Sequence, residues 1–267
     1  MKRNALWVVG ISYLLLLLVS GCGTGSAVKS TDVNQRVLYP TYSVTWENGS
    51  YEAVAIFDVG SSLGTSVELD AAESISCNGM VLQKHNKIID YFYEGNINQP
   101  VSQYVFRYHN GADQDIDTTL GAVPAMPTLQ AIPDFPEGRD LTVTWDATAP
   151  GKTVFVYITF PNSADAKSVI VYPADNGHYT ITSMELSDAA KALAPGTYEV
   201  EIEIIRRTEY PVNAYFTKGG SAFTQSIYRT ISHFTKTSPA VKSSYNAAKM
   251  DKAKLDEVLK YRKYQAQ

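Results

Sequence analysis

The feature that most constrains this chain is a recurring pattern of short alternating runs separated by turn signals. Between Val37 and Gly111 these runs include Tyr42-Ser-Val-Thr-Trp46, Ala53-Val-Ala-Ile-Phe57, Ser74-Ile-Ser-Cys77, Lys87-Ile-Ile-Asp-Tyr-Phe92 and Gln103-Tyr-Val-Phe-Arg-Tyr108. Glu47-Asn-Gly-Ser50, Gly60-Ser-Ser-Leu-Gly64 and Asn78-Gly79 fall between them. Alternation at a period of two is the signature of a strand with one buried face, and Asn-Gly supplies the positive backbone angles of a tight hairpin. A second series follows at 141–146, 153–160, 168–172, 178–183, 197–206 and 223–235, interrupted only by a short helical stretch over Glu185–Leu193 that ends at Pro195-Gly196. Short strands at this spacing predict a mainly β chain of two β-sandwich domains, with an open barrel the alternative for the first, followed by an amphipathic carboxyl-terminal helix.

Composition supports a globular body and excludes several classes of function. The chain has 267 residues, of which 45% are hydrophobic and 19% charged, enough for one large core or two small ones. With 23 Lys+Arg against 27 Asp+Glu it carries a formal charge of −4, so a nucleic-acid partner is not expected. Two cysteines and four histidines, widely scattered, make no CxxC or HExxH pair. There is no GxSxG, no phosphate-cradling glycine loop and no paired carboxylates in an evident cleft, so the chain reads as a non-enzyme with no cofactor.

The amino terminus reads as an address. Lys2 and Arg3 precede an apolar run from Ala5 to Val19, about 15 residues, short of the roughly 20 that a membrane-crossing helix needs. Residues 1–21 are therefore expected to be a secretory signal. Val19-Ser20-Gly21-Cys22 resembles the lipobox of bacterial lipoproteins. That resemblance implies diacylation of the Cys22 thiol, cleavage before it and acylation of the new amino terminus. Several acyl chains, at about 0.8 kcal/mol per buried methylene, make such an anchor effectively permanent. Gly23 stands where inner-membrane retention in enteric bacteria shows Asp. The resemblance thus implies an outer-membrane lipoprotein of a Gram-negative bacterium.

Domain organisation follows from composition. Residues 22–36, rich in small and polar types, read as a flexible tether, and 37–111 as an amino-terminal β domain. Residues 112–140 carry Pro124, Pro127, Pro133 and Pro136 with Asp113, Asp115 and Asp117, and read as a linker plus a leading edge strand. The second β domain covers 141–238. In it, Leu141-Thr-Val-Thr-Trp-Asp146 resembles the second strand of fibronectin type III and related immunoglobulin-like modules, whose Trp packs the core. Leu193-Ala-Pro-Gly-Thr-Tyr-Glu-Val200 is similar to that family's Leu-x-Pro-Gly corner with its pinning Tyr. Such modules bind and space other molecules, which implies a binding or scaffolding role.

Residues 239–267 place Val241, Tyr245, Ala248, Leu255, Val258 and Leu259 near helical spacing, with seven Lys and Arg against Asp251, Asp256 and Glu257. This basic segment carries about +4, and residues 22–239 about −10. It could dock on acidic phospholipid, on lipopolysaccharide, on a partner helix or back on the acidic body.

Three sets of residues are candidate sites. Asp113, Asp115 and Asp117, with Asn110, set oxygen ligands at alternating positions as calcium loops do, against the plainer reading of solvated acids. Tyr210, Tyr215 and Phe216 fall in a loop ending at Lys218-Gly-Gly220 and are the best candidates for exposed aromatics that stack on a sugar. They motivate the alternative reading, a glycan- or peptidoglycan-binding module. Cys77 sits in an alternating run and reads as a small buried hydrophobe rather than a nucleophile. The principal reading is a lipid-anchored cell-envelope lipoprotein that meets the membrane through Cys22 and an envelope protein through its β body.

Overall fold

The computed structural model describes residues 27–87, 90–147, 153–160, 169–171 and 175–238. Cys22 and the carboxyl-terminal segment 239–267 lie outside the described residues. The chain is mainly β. In order, the strands of the first half are β1 (Val28–Lys29), β2 (Leu38–Glu47), β3 (Ser50–Val59), β4 (Val67–Glu68), β5 (Glu73–Cys77), β6 (Met80–Val81), β7 (Gln83–Lys87), β8 (Asp90–Ile97), β9 (Gln103–Asn110) and β10 (Asp115–Gly121). The second half adds β11 (Phe135–Pro136), β12 (Leu141–Thr144), β13 (Thr153–Thr159), β14 (Val169–Val171), β15 (His178–Ile181), helix α1 (Ser183–Ala189), β16 (Gly196–Tyr210) and β17 (Ser221–Lys236).

The turn chemistry explains the first hairpins. Asn48 and Gly49 both have positive φ (50° and 85°) and join β2 to β3. Asn78 and Gly79 (49° and 80°) do the same between β5 and β6. Two consecutive left-handed residues make the turn whose twist matches the strands it joins. Helix α1 starts where the sequence provides a capping box: the Thr182 side chain accepts from the Glu185 backbone, and the Glu185 carboxylate takes the Thr182 N–H.

Among the described residues, one nine-stranded sheet dominates, in the order β14-β13-β16-β17-β2-β3-β8-β7, with β11 paired to β17. Its strands are antiparallel neighbours except at β17, which runs parallel to β2 over Ser221–Ile227 and to β11 at Phe234–Thr235. Pro40, with no N–H to give, lies just before the Thr41–Glu47 stretch that joins β17. Strands β16 and β17 are 15 and 16 residues long, about 50 Å at the usual rise, so each crosses the whole molecule.

Two smaller sheets cover the same face of this sheet at its two ends. The first, β10-β9-β5-β6, closes the amino-terminal lobe around Tyr42, Phe57, Ile75, Phe106, Tyr108 and Leu120. The second, β12-β15 with α1, closes the carboxyl-terminal lobe around Val143, Trp145, Val156, Ile202, Ile204 and Phe234. Register places Tyr42 beside Ala222, and Ile202 beside Thr230 of the same strand, so residues of one parity of β17 face both cores. The two sandwiches are halves of one continuous sheet.

Two stretches are more structured than their composition suggests. Residues 28–36, read as tether, contain β1, which pairs with β4, and Ser30 is buried where the Glu73 carboxylate accepts its hydroxyl. Polar residues order here because a buried acceptor awaits them. Residues 112–140 contain β10 and then run across the core-facing side of β17. Thr224, Ser226 and Ser232 donate their hydroxyls to the carbonyls of Ala122, Ala125 and Pro133 at 3.0–3.2 Å. A proline-rich segment makes few ladder bonds of its own, and these hydroxyls satisfy the carbonyls it leaves over.

Candidate functional site

The candidate calcium acids lie on the β9–β10 hairpin, two of them opposite basic side chains. Asn110 Oδ1 accepts the backbone N–H groups of Ala112 (3.1 Å) and Gln114 (3.2 Å), which shapes the β9–β10 turn, and Asp113 occupies a left-handed position there (φ 56°). Asp115 and Asp117 lie on β10 opposite His109 and Arg107. Asp117 takes both Nε and Nη2 of Arg107 at 2.8 Å, and Asp115 Oδ1 lies 2.9 Å from His109 Nδ1. The Arg107 hydrogen bonds hold the Asp117 carboxyl below its ordinary range. The oxygens of Asp115 and Asp117 thus face His109 and Arg107 across the ladder. Among the described residues, no group of three or more His, Cys, Asp or Glu could hold a metal ion.

The aromatic loop is a plug rather than an exposed platform. Phe216 is buried in the amino-terminal core, 6.1 Å from the Tyr108 ring, and meets Tyr215 edge-on at 5.3 Å. Tyr215 Oη accepts from Asn110 Nδ2 at 3.3 Å while Arg36 stacks on its ring at 5.5 Å. Tyr210 Oη is 3.3 Å from Thr224 Oγ1 and sits so close to Gly121 that a Cβ there would lie 2.8 Å from it. Asn213 ties the loop to Thr118 and to the Asp117 carbonyl, and Thr217 bonds twice to the Arg36 carbonyl. The three rings are half-buried or buried because each one gains more by closing the end of the core than by facing water.

Cys77 is buried in the same core, and burial pushes its thiol up to about 12. His85, eight residues on, stacks on Phe92 and pairs with Glu94 at 3.2 Å instead. A buried, protonated thiol is a packing residue rather than a nucleophile.

Three polar assemblies escaped the sequence reading. At the start of β5, buried Glu73 accepts from Ser30, Gln35, Tyr108 Oη (3.1 Å) and the Asp70 backbone (3.0 Å), fastening the first residues of the fold to β9. Beside it lies a cleft of about 390 Å³ walled by Leu69, Ile75 and Leu82, with the Lys84–Glu68 pair (2.7 Å) at its rim. In the carboxyl-terminal lobe, fully buried Arg206 binds Asp175 through Nε (2.9 Å), the Ala125 carbonyl through Nη1 (2.9 Å) and the Asp146 carbonyl through Nη2. Trp145 Nε1 donates to the same Asp175 at 2.9 Å. The signal was present: Val200, Ile202, Ile204 and Arg206 share one parity of β16, which puts an arginine on a core-facing position.

The third assembly closes the end of β17. Glu137 accepts from Lys236 Nζ (3.1 Å), the backbones of Thr237 (2.9 Å) and Ser238 (2.7 Å), and the Ser238 hydroxyl. Burial alone would raise this carboxyl; the bonds from Ser238, Thr237 and Lys236 outweigh it and hold it at about 2. These groupings bind chain to chain: each one joins segments remote in sequence.

The corner of the second sandwich has the geometry of the immunoglobulin-like class. Tyr198 Oη donates to the Ala194 carbonyl at 2.8 Å across Pro195-Gly196, and Trp145 packs in the core of that lobe. The chain is therefore a mainly β protein of two sandwich lobes, the second with an immunoglobulin-like corner. No family model matches it, and no curated protein does. Among solved structures it is similar to the first three fibronectin domains of chicken CNTN1, at 12% identity over 78% of this chain and 69% of that one, with a TM-score of 0.22. It is also similar to the central fibronectin-III array of RIM-binding protein, at 14% identity over 82% and 78%, with a TM-score of 0.18. At those TM-scores the likeness carries no argument, and the class rests on the corner and the two-layered cores.

Proposed function

We propose that this chain is a lipid-anchored cell-envelope lipoprotein whose β body is a non-catalytic binding or scaffolding unit for an envelope protein, held at the outer membrane of a Gram-negative bacterium. One observation supports the scaffold most. β16 and β17 run unbroken through both lobes, so the sandwiches cannot turn against each other without breaking ladder bonds in the shared sheet. Polar side chains held between segments (buried Glu73 and Arg206, half-buried Glu137) add to that stiffness. A stiff body presenting loops and edge strands at fixed separation suits holding a partner. Anchoring rests on Val19-Ser20-Gly21-Cys22 alone.

The test joins both parts. Cells expressing the full chain are fed labelled palmitate, membranes are isolated, and neighbours are captured by crosslinking. Label in the native chain and none in Cys22→Ser, with one protein captured reproducibly, is the expected result. Equal label in both would remove the anchor. Retention on peptidoglycan or polysaccharide with no protein captured would select the glycan-binding reading instead.

A further inference from the structure

Between the two smaller sheets, the core-facing side of the large sheet carries three aromatic rings that neither core encloses. Trp46 follows Val44, the last residue that β2 gives to the amino-terminal core, and Tyr228 pairs with Ile204 of the carboxyl-terminal core. Register sets Trp46 beside Tyr51 of β3 and beside Ser226, one pleat before Tyr228. All three rings are half-buried. The Trp46 and Tyr51 rings lie 6.3 Å apart between centres and 55° out of parallel, a tilted rather than a stacked pair. Tyr51 leans on the amino-terminal core, whereas Trp46 and Tyr228 belong to none of the buried clusters among the described residues. Among those residues Trp46 Nε1, Tyr51 Oη and Tyr228 Oη also have no hydrogen-bond partner.

We propose that this waist binds a proline-rich segment of a partner protein, extended as a polyproline II helix. The inference rests on the reading that the β body holds a protein. Three observations favour this occupant. The first is the donor chemistry. A polyproline II segment makes no internal hydrogen bonds, so its carbonyls can accept from N–H and O–H groups at ring tips while its pyrrolidine rings pack on the aromatic faces. The second is that the molecule shows related chemistry on itself, immediately alongside. Ser226, between Trp46 and Tyr228, donates its hydroxyl to the Ala125 carbonyl at 3.2 Å, and Ala125 stands between Pro124 and Pro127. The third is charge. Val44, Ala53, Ile97, Ser226, Ile204 and Thr230, which share this parity around the rings, are uncharged. Arg206 in the same row is fully buried on Asp175, and the Glu47–Arg229 pair (2.7 Å) has the opposite parity. A neutral patch suits a neutral segment better than an acidic headgroup or a charged peptide. Trp46 and Tyr51 lie on strands paired on both sides, so at these rows the side chains, not a free strand edge, must make the contacts.

Calorimetric titration of the full chain with decaproline tests this, with a Gly-Ser peptide of the same length as control. Saturable binding of decaproline and none of the control is the expected result. Trp46→Phe keeps a ring and removes the indole N–H, and Tyr228→Phe removes only a hydroxyl. Each should weaken binding about threefold to tenfold while leaving the thermal midpoint near the parent's. Absence of saturable binding would overturn the inference, as would binding that both variants leave unchanged. So would binding of a soluble β-linked glucan in place of decaproline, lost in the same variants, which would assign the rings to sugar. Crosslinking from membranes separates the site from the scaffold. An envelope protein captured equally by the parent and by the Trp46→Phe, Tyr228→Phe double variant would overturn the site and leave the scaffold reading standing. Decaproline binding weakened in the variants, with no envelope protein captured, would uphold the site and sink the scaffold reading.

Discussion

The two lobes share a sheet but are filled differently. The amino-terminal core is built of interlocked rings: Tyr42 stacks on Phe106 at 5.0 Å, Phe57 tilts against Tyr108 at 5.2 Å, and Tyr42 meets Phe57 edge-on at 6.0 Å. The carboxyl-terminal core is mostly aliphatic, with Val154, Val156 and Ile158 of β13 facing Leu141, Val143 and Ile181 of β12 and β15. Among the described residues its second layer is two strands and a short helix, where the amino-terminal lobe has four strands. The smaller lid is tied down by a buried ion pair, Arg206–Asp175, that also holds Trp145 and two backbone carbonyls. A lobe with a complete second sheet can rely on packing; one with a partial lid recruits charge and accepts its desolvation cost.

The largest expected effects test that contrast. Phe106→Ala should cost about 3–5 kcal/mol in urea denaturation through lost transfer energy and a residual cavity. Arg206→Met should cost a similar amount, about 3–5 kcal/mol, because it strands a buried carboxylate. The rescue separates them. Adding Asp175→Leu to Arg206→Met should recover most of the loss, since neither charge is then buried alone. If Arg206→Met costs under about 1 kcal/mol, the lid is held by packing after all and the contrast fails.

Smaller effects sharpen it. Tyr198→Phe deletes the corner bond to Ala194 and should lose about 1 kcal/mol. Tyr42→Phe should lose nothing and gain up to about 1 kcal/mol, because its hydroxyl is buried with no hydrogen-bond partner among the described residues. Burial pushes that phenol far above the usual range, as expected for a group held neutral. Last is the strand end. The folded Glu137 carboxyl sits below its unfolded value, so its contribution is complete above the ordinary carboxylate range and is lost as pH falls toward about 2. An NMR titration of Glu137, read against neighbouring His233, Asp134 and Lys236, should show its midpoint at about 2. A midpoint near 4.5 would mean that Ser238 and Thr237 do not hold it.

Much of the framework was legible. Strand positions from β12 to β17 follow from period-two runs, because alternation records which side chains need a core. The Asn-Gly hairpins, the capping box at Thr182 and the Tyr198 corner are local devices whose chemistry sits within a few residues. The candidate site residues were less legible. Phe216 in a Gly-flanked loop reads as exposed until Tyr108 is found beneath it, and Asp115 and Asp117 read as solvated acids or calcium ligands until Arg107 and His109 appear across the ladder. In each case the deciding partner is remote in the chain or on the neighbouring strand.

The sequence by itself determined the class of fold and the alternation of its strands, since both depend on residues within one turn or one pleat. Only the tertiary structure decided that two sandwiches share one sheet, that a proline-rich segment is strapped across β17, and that Arg206, Glu73 and Glu137 are fasteners. The parallel pairing of β17 with β2 joins residues about 180 positions apart. Nothing local in either strand selects its partner; that choice belongs to the packing of the whole chain, where burying both cores against one long sheet satisfies most backbone groups at once.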